Sequence, residues 1–105
     1  MTKDKSLLQF NFEGNDYSIR ASGHAIERMK QRDITAFQVA SAVFGLTLET
    51  LDELKDSGKD LAIIVEDENY SVVICRYRNT IKVITVIDKS DIWVKEGTEV
   101  FKYKN

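Results

Sequence analysis

Hydrophobic and polar positions change period twice along this chain of 105 residues, and the changes mark its elements. Residues 8–20 alternate: Phe10 and Phe12 stand before Gly14-Asn15-Asp16, and Tyr17 and Ile19 after it. That pattern predicts a β-hairpin in which Gly14 and Asn15 supply the turn conformations. The spacing then becomes helical. Ser22 is a natural N-cap, and the helix it opens ends near Asp33. Thr35 and Gln38 form a capping box for a second helix, with Ile34 and Val39 placed as a hydrophobic staple. Ala36, Phe37, Ala40, Val43 and Phe44 give that helix its apolar face, and Gly45 stands where it should stop.

Residues 46–58 carry two patterns. Leu46, Leu48 and the threonines suit an edge strand or irregular structure, the reading adopted here. Leu48, Leu51 and Leu54 behind Thr50 and Glu53 suit a helical turn. From Leu61 the pattern is β: residues 61–65, 70–77 and 80–87 are rich in Val, Ile and Tyr, divided by Asp67-Glu68-Asn69 and Arg78-Asn79. A last strand alternates from Glu99 to Tyr103. The expected fold is α+β: an N-terminal hairpin and two short helices packed on an antiparallel sheet of about four strands.

Length and composition fit one domain over residues 1–105, without proline, repeat or linker. One cysteine excludes an internal disulfide and suits a reducing compartment. The first six residues lead into no signal-peptide core, so a cytoplasmic protein without membrane attachment is expected. A net charge of −2 argues against strong non-specific nucleic-acid binding, but the charge is uneven. Residues 20–32 hold Arg20, Arg28, Lys30 and Arg32 against Glu27, whereas residues 49–68 hold eight acids against two lysines.

The candidate chemistry lies in the first helix. His24, Arg28 and Arg32 follow at i, i+4 and i+8, which puts them on one stripe within about 80° of arc. Ala25, Ile26 and Met29 form the apolar face beside it. Imidazole is a proton-transfer group, and guanidinium binds phosphate oxygens bidentately. Arg76 or Arg78, with Tyr77 between them, could complete the site from the sheet side, depending on register. With one histidine and one cysteine, neither a metal nor a cofactor is expected.

The stretch His24-Ala25-x-x-Arg28-Met29-x-x-Arg32-x-Ile34-Thr35, with Ile84-Thr85-Val86 later, resembles the signature of the domain of unknown function 4258 family. Its specific part is about a dozen residues. The resemblance implies a fold like that of the barnase/colicin/RelE ribonucleases and toxins, and metal-independent RNA cleavage. It carries His24, Arg28, Arg32 and, more loosely, Thr85. Asp33 stands where that family usually has glycine.

The expected function is therefore a toxin-like RNA-binding domain or metal-independent endoribonuclease, with RNA and a cognate antitoxin as partners. The alternative is a non-catalytic protein-interaction module, or a phage or mobile-element inhibitor, on the same scaffold; the acidic segment suits a basic partner protein. Cys75 reads as a small buried hydrophobe. Trp93, Phe101 and Tyr103 with Lys95, Lys102 and Lys104 could stack single-stranded nucleic acid, but a lysine-guarded edge strand explains them more simply.

Overall fold

A computed structural model describes residues 4–103, apart from the side chains of Leu48 and Asp56; Lys104 lies outside the described residues. The chain runs β1 (Lys5–Phe12), β2 (Asn15–Ala21), α1 (Gly23–Arg32), α2 (Ala36–Phe44), α3 (Leu48–Ser57), β3 (Leu61–Val65), β4 (Tyr70–Tyr77), β5 (Thr80–Ile87) and β6 (Glu99–Tyr103). The α+β class holds. The described residues form three helices and a single six-stranded sheet, however, where two helices and a sheet of about four strands beside the hairpin were expected.

The sheet order is β1-β2-β5-β4-β3-β6, and the sheet is mixed. β3, β4 and β5 make the expected antiparallel meander. The hairpin joins it by parallel pairing of β2 with β5, and β6 joins the far side parallel to β3. Both parallel pairings are long-range, so no local pattern in the sequence announces them.

The hairpin turn lies one residue earlier than expected. Phe12 pairs with Asn15, and Glu13 and Gly14 carry the positive φ angles, 51° and 81°. Two consecutive left-handed residues match the right-handed strand twist.

The expected helix boundaries hold at Ser22 and Asp33, the latter left-handed at φ 55°. The Thr35–Gln38 capping box is fully formed. The third helix overturns the strand reading of 46–58: Thr47 caps it through Thr50 N at 3.1 Å, and Leu54 is buried. Its cap is thus three residues earlier than the Thr50 of the helical alternative.

Helices and sheet share one core, in which Ala25 and Met29 of α1, Val39 and Val43 of α2 and Leu54 of α3 meet Ile19, Ile63, Ile74 and Val83 of the strands. Phe37 departs from the apolar face assigned to α2 and is 80% exposed. On the opposite face the β5–β6 connection lies against β3 and β4, with the Ser71 hydroxyl donating to Lys89 O at 2.7 Å. A groove there is lined by Ile64, Ile92 and Val94.

Two phenols fasten α2 to the sheet: Tyr70 donates to Gln38 O at 2.9 Å and Tyr103 to Ala42 O at 2.5 Å. The Ala42 carbonyl lies in the last turn, where helical partners run out. Gly45 ends the helix with ordinary right-handed angles, so a left-handed cap is not why glycine stands there. A Cβ at this position would overlap the phenol of Tyr103. Gly45→Ala is therefore expected to displace that phenol and cost about 1–3 kcal/mol, read as a lower urea midpoint. An unchanged midpoint would show that the tyrosine moves aside freely.

Candidate functional site

α1 begins where β2 ends, and this junction fixes the His/Arg stripe. Beyond Ala21 and its partner Val83, β5 continues without β2 beside it. A bulge follows at once: Ile74 pairs with Val83 and Val73 with Thr85, leaving Ile84 as the extra residue. Ser22 closes the gap. Its N–H donates to Val83 O at 3.0 Å and its hydroxyl to Ile84 O at 3.1 Å, while that hydroxyl accepts from Ala25 N at 3.0 Å. Ser22→Ala loses the helix cap and the strand tie together. A cost of about 1–2 kcal/mol is expected, read by chemical denaturation.

Arg32 makes the second tie. Its Nη1 donates to Val86 O at 2.6 Å, and its Nε lies 3.7 Å from Asp88 Oδ1. The last member of the stripe is thus half-buried and engaged as a clamp between α1 and the end of β5. His24, by contrast, is exposed in the first turn. Arg28 donates from Nε to His24 Nε2 at 3.4 Å and from Nη1 to Gln31 Oε1 at 3.1 Å. The imidazole and the Arg28 guanidinium form an outward-facing pair, held in the orientation that leaves Nε2 as an acceptor.

The sheet-side candidates separate into two groups. Thr85 stands between the carbonyls taken by Ser22 and Arg32, but it pairs with Val73 and so lies on the sheet face away from α1, whose core partners are Val72, Ile74, Val83 and Val86. Arg76 is at the other end of β5, paired with Ile81, about 10–17 Å along the strand from Ile84 and Val86. Its side chain is only 4% exposed and points to the helix side. Nε donates to Arg78 O at 2.6 Å, Nη1 donates to Leu51 O at 3.0 Å, and Asp52 Oδ1 lies 3.7 Å from Nη1. The guanidinium also sits over the Tyr17 ring, 5.5 Å from its centroid. Arg78 occupies the β4–β5 turn at φ 53°, and its own guanidinium covers the exposed ring of Tyr77. The structure therefore keeps His24 and Arg28 as a pair with Arg32 further along the same helix, and it brings none of Thr85, Arg76, Tyr77 and Arg78 to them.

Among the described residues, surface cavities of about 280–580 Å³ include five that the stripe does not line. His24 and Arg28 lie on an open helix face. Cys75 is half-buried, and burial pushes its thiol above the ordinary range, which disfavours the reactive thiolate. Among the described residues, no three His, Cys, Asp or Glu side chains group as they would around a metal ion, and no helix is long and apolar enough to cross a membrane.

No family model, curated protein or solved structure matches the chain.

Proposed function

We propose that this chain is a small toxin-like domain that binds RNA along the exposed face of α1 and cleaves it without a metal. The observation that carries the reading is the outward-facing pair of His24 and Arg28, in which Nε2 of the imidazole accepts from Arg28 Nε over a long 3.4 Å, a bond that a substrate hydroxyl would replace. In this reading Nε2 takes the proton of the ribose 2′-hydroxyl as that oxygen attacks the adjacent phosphorus. The departing 5′-oxygen leaves with a proton from solvent or from the imidazolium just formed, giving a 2′,3′-cyclic phosphate. Arg28 balances the charge that develops on the phosphoryl oxygens. Arg32 positions the helix through Val86 and Asp88 rather than reaching the phosphate.

The test is incubation of the purified protein with RNA in EDTA. Cleavage is expected, with 2′,3′-cyclic ends, and His24→Ala should reduce its rate by about 10²–10⁴-fold. Equal rates in that variant, or an inert wild-type protein, would end the catalytic reading.

A specific observation favours a second reading, the non-catalytic interaction module. Phe37 and Trp93 are 80% and 85% exposed, on α2 and on the β5–β6 connection. Exposed aromatic residues of this size are common anchors of protein interfaces. An inert protein whose partner binding is lost in Phe37→Ala or Trp93→Ala would establish that alternative.

A further inference from the structure

The most enclosed and most apolar of the cavities has no part in the proposed reaction. It holds about 280 Å³ between the hairpin, the end of α2, α3 and the start of β5. Phe12, Phe44, Leu46 and Leu51 line it, with Asp52 and Arg76 as its polar groups. Phe12 and Phe44 are 40% and 52% exposed, large apolar side chains left open at the cavity. The volume is below that of pockets for drug-sized ligands, so it suits a single ring system.

The polar pair defines the ring. Arg76 is almost wholly buried, with Nε and Nη1 committed to Arg78 O and Leu51 O. Its Nη2 donates no hydrogen bond among the described residues, and Arg76 is part of the cavity wall. Asp52, with Oδ1 3.7 Å from Nη1, puts an acceptor beside it. A donor and an acceptor side by side, between aromatic and aliphatic walls, match a planar ring whose edge offers C=O next to N–H.

We infer that this cavity binds a keto nucleobase, guanine or uracil, with the carbonyl on Arg76 Nη2 and the ring N–H on Asp52. Phe12 and Phe44 pack on the ring, and the sugar and phosphate extend to solvent. Adenine and cytosine present an amino group where the carbonyl would stand, so they leave the guanidinium N–H unpaired. The base comes from a free nucleotide or from RNA, and the chemistry of recognition is the same.

The experiment is titration of the full chain with GMP, UMP, AMP and CMP, followed by calorimetry. GMP and UMP are expected to bind about tenfold or more tightly than AMP and CMP. Asp52→Asn should remove most of that preference and Phe44→Ala should weaken binding of both keto nucleotides, with circular dichroism confirming that each variant folds. Asp52 is 76% exposed, so its replacement leaves the core intact. A uridine hexanucleotide that binds more tightly than UMP places the base on RNA, and equal affinity places it on a free nucleotide; either supports the site. Equal binding of all four nucleotides, or none at millimolar concentration, overturns it. The assay reads binding alone, so it stands or falls separately from RNA cleavage.

Discussion

Arg76→Ala is expected to destabilise the fold by about 3 kcal/mol, lowering Tm by roughly 10–20 °C for a chain of this size. The guanidinium is nine-tenths buried and joins three parts of the chain. It donates to Leu51 O in α3, to Arg78 O in the β4–β5 turn, and lies over Tyr17 of β2. Its removal leaves two carbonyls without their donor and empties the space beneath Phe44 and Leu46. The Arg78 carbonyl matters most, because that residue holds a left-handed conformation an arginine adopts at a cost. Arg76→Lys is expected to recover only part of the loss, since one ammonium cannot reproduce a planar fork that serves two carbonyls. Asp52→Asn should cost little by comparison, as that carboxylate is mostly solvated. A melting temperature within about 4 °C of wild type for the alanine variant would show that the turn and α3 hold without the guanidinium.

Arg76 also shows where sequence reading stops. Local signals were legible wherever a backbone group has a partner a few residues away: Ser22 and Thr35 as caps, the Gln38 half of the capping box, and the bounds of β3, β4, β5 and β6. The turn of the first hairpin was nearly so, but Glu13 rather than Asn15 took the left-handed position. Residues 46–58 failed because three leucines spaced by three fit a helix while their flanking threonines fit a strand; packing of Leu54 into the core decided it. The parallel pairing of β2 with β5 had no local signal at all, and it controls the site. It ends at Ala21 and Val83, which leaves the carbonyls of Ile84 and Val86 for Ser22 and Arg32. The stripe on α1 was therefore readable as a stripe, but the clamp role of Arg32 was not. Nor was the side of the sheet taken by Arg76, which depends on the register of β4 against β5. The apolar period of α2 likewise could not show that Phe37 stays in solvent, because the helix has more apolar positions than the sheet beneath it covers.

The second large effect is expected at alkaline pH. Burial pushes both Tyr70 and Tyr103 up to about 12, with Glu68 and Asp67 adding to the shift at Tyr70 and Tyr70 itself adding to that at Tyr103. The ordinary phenol value in the unfolded chain is about 10. Above pH 10 the unfolded chain thus releases protons that the folded protein keeps, so stability falls as pH rises. The contribution is fully present below pH 10 and is lost progressively up to about pH 12. Between pH 9 and 11 the two phenols together should cost about 2 kcal/mol, seen as a falling urea midpoint. The same phenols fasten α2: Tyr70 donates to Gln38 O and Tyr103 to Ala42 O, and a phenolate could make neither bond. Tyr70→Phe with Tyr103→Phe is expected to start less stable at neutral pH, by about 1 kcal/mol for each lost hydrogen bond, yet to lose much less between pH 9 and 11. An alkaline loss of the same size in the doubly substituted protein would move the cause away from α2 and its two phenols.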